Sequence, residues 1–171
     1  MSDSFAAILM GSDSDLPVMQ GTVDVLARLQ VPHTIKIASA HRTPDVVHSY
    51  IAEADKQGCG VYICAAGMAA HLAGTVAGLT TKPVIGIPLD SGGGLGGIDA
   101  LLSTVQMPGG IPVATVAIGK AGARNAAYLA AQILASTDEK LAKRIKLERE
   151  TNAEKVKEKD ADLQKKLKRS E

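Results

Sequence analysis

Aromatic side chains are nearly absent: one Phe, three Tyr and no Trp in 171 residues. A surface that stacks single-stranded bases therefore has almost nothing to stack them on. Cysteine is equally sparse, and Cys59 with Cys64 provides neither a disulfide framework nor the second pair that a zinc site needs. No apolar run reaches the ~18 residues of a membrane span. Met1–Ser4 places no charged stretch before the apolar Phe5–Met10, so a secretory leader is not expected. These absences point to a soluble, cytoplasmic protein of a reducing compartment that engages neither membrane nor nucleic acid. A chain of this length suits a single core and buries roughly 70% of its unfolded surface, so no metal staple is required.

Cations are scarce in the part of the chain that matters most. Twelve of the 19 Lys and Arg lie in residues 138–171, beside nine acids, and only seven stand before them: Arg28, Lys36, Arg42, Lys56, Lys82, Lys120 and Arg124. The terminal segment reads as a solvated, mixed-sign helix with pairs such as Glu139–Lys143. Interleaved Glu158, Asp160 and Asp162 argue against a basic nucleic-acid arm. The division expected is an α/β domain over 1–137 and a charged helical extension over 138–171. An anion held by the body must lean on backbone amides and few side chains.

What is present is a regular alternation. Phe5–Met10, His33–Ala38, Val61–Ala65, Val84–Pro88 and Val113–Ala117 read as strands, separated by segments of helical spacing. Thr43-Pro44 opens one helix as N-cap and first-turn proline. The pattern predicts βαβ units and a parallel sheet. Along Arg124–Ala135 only Asn125 and Gln132 break an apolar circumference. Such a helix is either buried on all sides, which suggests a subunit interface, or alanine-rich for propensity alone.

In open parallel sheets, ligands bind beyond the carboxyl ends of the strands where the strand order reverses. With order 2-1-3-4-5, the loops after the first three strands lie together: Gly11–Asp15, Ser39–Pro44 and Ala66–Leu72. Gly11-Ser12-Asp13-Ser14-Asp15 has a glycine, two hydroxyls and a helix start, the parts of an anion cradle; plain helix capping is the alternative. Arg42 beside it would complete a phosphate site. His41 follows a strand end, and an imidazole with reference pKa of about 6.5 suits proton transfer near neutrality. His71, among small residues, either contacts a ligand or donates a structural hydrogen bond. Gly92–Gly97 formally fits G-x-G-x-x-G, but it follows the fourth strand and lacks the downstream acid of a dinucleotide site, so a mobile covering loop is the preferred reading.

Taken together, Gly11-Ser12-Asp13-Ser14-Asp15, Ser39-Ala40-His41-Arg42-Thr43-Pro44, Ala69-Ala70-His71-Leu72, Val105-Gln106-Met107-Pro108 and Ile111-Pro112-Val113-Ala114 resemble the PurE family, over about Ala7 to Leu134. The resemblance implies a flavodoxin-like three-layer sandwich of strand order 2-1-3-4-5, a homo-octamer, and no metal or organic cofactor. It further implies a cytoplasmic isomerase of purine (IMP) biosynthesis that moves a carboxylate from N5 to C4 of aminoimidazole ribonucleotide. By the same resemblance, Ser12, Ser14, Asp15 and Arg42 hold the ribose phosphate. Ser39, Ala40 and the loop Gly67, Met68, Ala69, Ala70, His71 and Leu72 line the ring and carboxylate site, with His41 as general acid–base. Arg42 after the histidine, and a loop without the Arg-Ser-Asn of the family's directly carboxylating branch, match the bacterial mutase branch. Ala73, Ala65-Ala66 and Gly92–Gly94 depart from the family's usual pattern, and the segment after about Asn152 lies outside it. A nucleotide-binding module without catalysis would use the same crevice.

Overall fold

The computed structural model describes residues 4–168; residues 1–3 and 169–171, which the expected leader reading and domain bounds include, lie outside the described residues. Five parallel strands form one sheet in the order β2-β1-β3-β4-β5: β1 (Phe5–Met10), β2 (His33–Ile37), β3 (Cys59–Gly67), β4 (Val84–Leu89) and β5 (Ala114–Thr115). The helices are α1 (Leu16–Arg28), α2 (Pro44–Lys56), α3 (Leu72–Ala77), α4 (Ile98–Val105), α5 (Gly119–Ala135) and α6 (Glu139–Lys168).

The strand pleat sends alternate residues to opposite faces. On one face Ile8, Ile63 and Ile85 stand side by side in register, with Ile35 continuing the row onto the edge strand. That face packs under α1, α5 and α6. Ala7, Leu9, Tyr62 and Cys64 point the other way, against α2 and α3. Tyr62 is fully buried and its hydroxyl donates to Asp55 at 2.7 Å. Burial, with that carboxylate next to it, pushes the phenol upward and keeps it neutral. Burial likewise raises both thiols, Cys59 and Cys64, which are free and sit in the core as small hydrophobes.

Three expectations need correction. β5 is much shorter than Val113–Ala117: its ladder ends where Val116 donates to the Gly86 carbonyl at 3.0 Å. The following bond would need an N–H from Pro88, which has none. The helix at Arg124–Ala135 starts earlier, at Gly119, and its alanines face the chain's own core rather than another subunit. Ala123, Ala126, Ala127, Ala130 and Ala131 are wholly buried within the chain. Small side chains let the helix approach the sheet closely, and Gly122 is so near the Ala117 carbonyl that a Cβ there would overlap it.

The terminal helix is also not solvated throughout. Leu141 and Ile145 enter the core, and the Asp138 carboxylate accepts from the amides of Lys140 and Leu141 at the helix start. Arg144 Nε donates to the Leu29 carbonyl at 2.7 Å, satisfying the end of α1. Arg28 pairs with Glu148 at 2.7 Å, and Tyr128 donates to the same carboxylate oxygen at 2.8 Å. From residue 149 onward every described side chain is exposed. Ion pairs within the helix join Lys146 to Glu150, Glu154 to Lys157 and Asp162 to Lys165, and among the described residues Glu139 and Lys143 form none. Among the described residues no helix is long and apolar enough to cross a membrane.

Since Ala127 faces the chain's own core, Ala127→Glu should destabilise folding itself by about 3 kcal/mol or more, through an unpaired buried charge. A urea titration followed by far-UV circular dichroism measures this. An unchanged midpoint would mean that the alanine face is turned outward.

Candidate active site

Because β1 lies between β2 and β3, the loops leaving these three strands meet at one end of the sheet. They enclose a crevice of about 480 Å³ whose wall contains Ser12, Ser14, Asp15, Ser39, Ala40, His41, Arg42, Gly67, Met68, Ala69, His71 and Leu72. Of the residues expected there, only Ala70 is missing from the wall. It is 1% exposed and turned into the protein, which leaves Ala40, Ala66 and Ala69 as the small apolar surfaces.

The β1 loop is both a cap and a cradle. Ser12 caps a single 3-10 turn, Asp13–Asp15, and the Asp15 carboxylate accepts from the Ser12 amide at 3.1 Å, completing a capping box. Ser14 Oγ donates to Ser12 Oγ at 2.9 Å, so both hydroxyls are held on the crevice side. Burial raises the Asp15 carboxyl above its ordinary range; the amides of Ser12 and Gly11 pull the other way and do not cancel it.

The β2 loop is stapled by one side chain. Thr43 Oγ1 accepts from the Ser39 amide at 2.9 Å and donates to the Ser39 carbonyl at 3.2 Å. Thr43 is the N-cap residue of α2, yet its hydroxyl makes no bond to that helix's amides. Instead it closes a tight loop that carries His41 and Arg42 at its tip. The Arg42 amide donates to Ser39 Oγ at 3.2 Å, and its guanidinium reaches across to the Gly11 carbonyl at 3.0 Å. That bond ties the β2 loop to the cradle of β1.

From the β3 loop comes the partner for His41. Nε2 of His41 lies 2.7 Å from Nδ1 of His71, with the rings edge to face, 4.8 Å between centroids. A hydrogen bond at this distance needs one nitrogen to carry the proton and the other to accept it, so the tautomer of each ring is tied to that of its partner. Both imidazoles are exposed to solvent. The loop is bent at Met68, which adopts a left-handed φ of 56° and is 64% exposed at the mouth. A Cβ at Gly67 would displace the Ser91 hydroxyl and crowd Ser91 Cβ at 3.1 Å and the Leu89 carbonyl at 3.2 Å. Ser91, two residues after β4, lines the crevice too and was not among the expected residues. Its position just beyond a strand end, next to the β3 loop, was the available signal.

Chemically, this crevice offers one guanidinium, a hydroxyl pair, a half-enclosed carboxyl, two imidazoles hydrogen-bonded to each other and a small apolar wall. That set suits a phosphorylated sugar carrying a ring on which a proton is moved. Among the described residues, no group of three or more His, Cys, Asp and Glu side chains is placed to hold a metal ion.

Comparison with known proteins gives a consistent picture. The family profile described as AIR carboxylase matches residues 6–155. The N5-carboxyaminoimidazole ribonucleotide mutase of Bacillus subtilis (strain 168) is 52% identical over 149 residues, covering 87% of this chain and 91% of that protein. The protein of the same name from Escherichia coli (strain K12) is 52% identical over 139 residues, covering 81% of this chain and 82% of its own. Among solved structures, the PurE of Treponema denticola superposes with a TM-score of 0.84 at 33% identity, over 94% of this chain and 98% of that one.

The raised Asp15 carboxyl has a consequence for stability. A carboxyl whose folded pKa exceeds its unfolded value stabilises the fold while protonated, below the unfolded value of about 4, and that contribution is lost as pH rises through the higher folded value. Asp15→Asn keeps the acceptor for the Ser12 amide and removes the titration. The variant should therefore be at least as stable as the parent at pH 7 and should lack this component of the stability loss above pH 4. Thermal midpoints recorded from pH 3.5 to 7 check it; parallel curves for parent and variant would refute it.

Proposed function

The chain belongs to the AIR carboxylase family, and on that membership we propose that it is an N5-carboxyaminoimidazole ribonucleotide mutase. It converts N5-carboxyaminoimidazole ribonucleotide to 4-carboxy-5-aminoimidazole ribonucleotide in purine biosynthesis. The single observation that carries the reading is the convergence of His41, Arg42, His71 and the Ser12–Asp15 turn on one crevice, in a chain about half identical to several proteins bearing that name.

In this reading Arg42 and the Ser12 and Ser14 hydroxyls receive the phosphate, and Asp15 accepts from ribose hydroxyls. An enclosed carboxyl is a better partner for a hydroxyl donor than for a second anion. Ser39, Ala40, Gly67, Met68, Ala69 and Leu72 surround the ring and the migrating carboxylate. Ala70 supports the wall from behind. The N5–carboxylate bond breaks, CO₂ leaves, and N5 takes a proton from His41. The electron-rich C4 then attacks the retained CO₂ to form the new carbon–carbon bond, and the C4 proton returns to His41. One imidazole thus closes the proton balance, and His71 holds that ring through the hydrogen bond between them. The carbamate is already activated, so no ATP is consumed. Retention of CO₂ depends on small apolar walls and on excluding water, which the open crevice of the lone chain does not do alone.

A homo-oligomer, by resemblance an octamer, fits the apolar surface left uncovered. Ile98, Leu102 and Val105 share one exposed face of α4, and Ile35 with Ile37 lies exposed on β2. Isolated exposed aliphatics are ordinary, but such runs mark contact surfaces. Residues 1–137 carry the catalytic domain and 138–171 a charged extension, whose helix Glu139–Lys168 braces that domain with its first turns. The protein works in the cytoplasm, consistent with two free buried thiols.

The deciding experiment supplies N5-carboxyaminoimidazole ribonucleotide in a medium of labelled bicarbonate. Product should form with label entering far more slowly than turnover, and aminoimidazole ribonucleotide alone should react poorly. Label entering as fast as product forms would instead indicate direct carboxylation from solution. Separately, His41→Asn should fold and bind the ribonucleotide while kcat falls by about 10²–10⁴-fold, the span of general acid–base catalysis. A variant keeping a tenth of the parent kcat would remove His41 from this role.

A further inference from the structure

Helices α1, α5 and α6 enclose a second and larger groove, of about 630 Å³, which shares no wall residue with the crevice. Its size falls in the ordinary range of small-molecule sites. Four cations line it, Arg28, Arg124, Arg144 and Lys155, against the carboxylates of Asp24 and Glu148. Arg28 and Glu148 neutralise one another at 2.7 Å. Asp24 accepts from Gln20 at 2.8 Å. Arg144 commits its Nε to the Leu29 carbonyl, and its terminal nitrogens make no hydrogen bond among the described residues. Arg124 and Lys155 have neither hydrogen bond nor ion pair among the described residues.

Such a concentration is unusual for this chain. Only seven basic residues precede residue 138, and two of them stand here beside two from α6. The Arg124 stem lies across α1 at Gly21, where an added Cβ would sit 3.4 Å from Arg124 Cγ; the bare backbone lets the guanidinium lie low over the groove. The remaining wall is mostly apolar, with Thr151 and Asn152 as its uncharged polar members. Leu147 stands 63% exposed with the Tyr128 ring on the same lining, and Val25 and Leu29 form part of it.

We propose that this groove is a second ligand site, for a small phosphorylated compound bearing a planar ring, of the size of a nucleoside monophosphate. Arg124, Arg144 and Lys155 take the phosphate, where guanidinium forks match its oxygens. Leu147 and Tyr128 take the ring. The distal part of α6 thereby acquires a role, since Lys155 comes to the groove only because the helix continues past its buried turns.

Isothermal titration of the full chain at low salt tests this, with AMP as probe and inorganic phosphate as comparison. AMP should occupy a site that survives Arg42→Ala and that weakens at least about tenfold in the Arg124→Gln/Lys155→Gln double variant, as loss of charge-assisted bonds requires. The double variant should retain the parent far-UV spectrum. Leu147→Glu, at an exposed position, should weaken the same site by placing a carboxylate at its mouth, and it decides the matter if the double variant fails to fold. No AMP binding, binding lost entirely in Arg42→Ala, or an isotherm unchanged by the groove variants would overturn the site. Phosphate binding as tightly as AMP would overturn the ring contact.

Discussion

Strands β1, β3 and β4 are buried on both faces, and a strand in that position must be covered twice. Parallel neighbours need crossover helices, and crossovers are right-handed, so a chain that covers both faces has to reverse its direction of travel across the sheet. Here the reversal falls at β1, from which the chain first moves outward to β2 and then returns past β1 to β3. The crevice follows from that one turn in the winding order. Gly11–Asp15, Ser39–Thr43 and Gly67–Leu72 are far apart in sequence and adjacent in space because the sheet has nowhere else to put them.

Within the crevice, positioning is done by short polar bonds between loops rather than by burial. Thr43 clamps its own loop to Ser39, Arg42 reaches the Gly11 carbonyl, and His41 meets His71. Each bond joins residues of different loops or closes one loop on itself. The side chains that would do chemistry are consequently exposed yet oriented. The apolar core behind them, with Leu72 and Ala38 almost inaccessible, provides the rigid floor.

The helical layer of α1, α5 and α6 on one face of the sheet is organised by small residues. Five wholly buried alanines let α5 lie close to the sheet, and α6 folds back over α1 through Leu141, Ile145 and Arg144. The near-uniform apolarity of α5 correctly signals burial, but it does not say whether the covering surface belongs to the same chain. Here it does, because the sheet and the terminal helix cover what a second subunit was expected to cover. Exposed aliphatics are left instead on α4 and β2, and along α6 at Leu147, Val156, Leu163 and Leu167.

Much of this protein is legible from sequence alone. The strands and their alternation with helices follow from hydrophobic period and from Pro44 and the glycine punctuation, and the candidate site follows because residues just beyond strand ends share one edge of a parallel sheet. Other features depend on contacts between residues distant in the chain. The length of β5 depends on Pro88 in a neighbouring strand, and no inspection of Val113–Ala117 reveals it. Ala70 faces inward while Ala69 faces the crevice, a distinction set by the left-handed turn at Met68. The bond between His41 and His71, and the gathering of Arg124, Arg144 and Lys155 around one groove, arise only when helices and loops are packed. Local sequence determines which segments form and which residues stand at their ends; tertiary packing decides which side chains meet, because a contact across the fold depends on the positions of both partners.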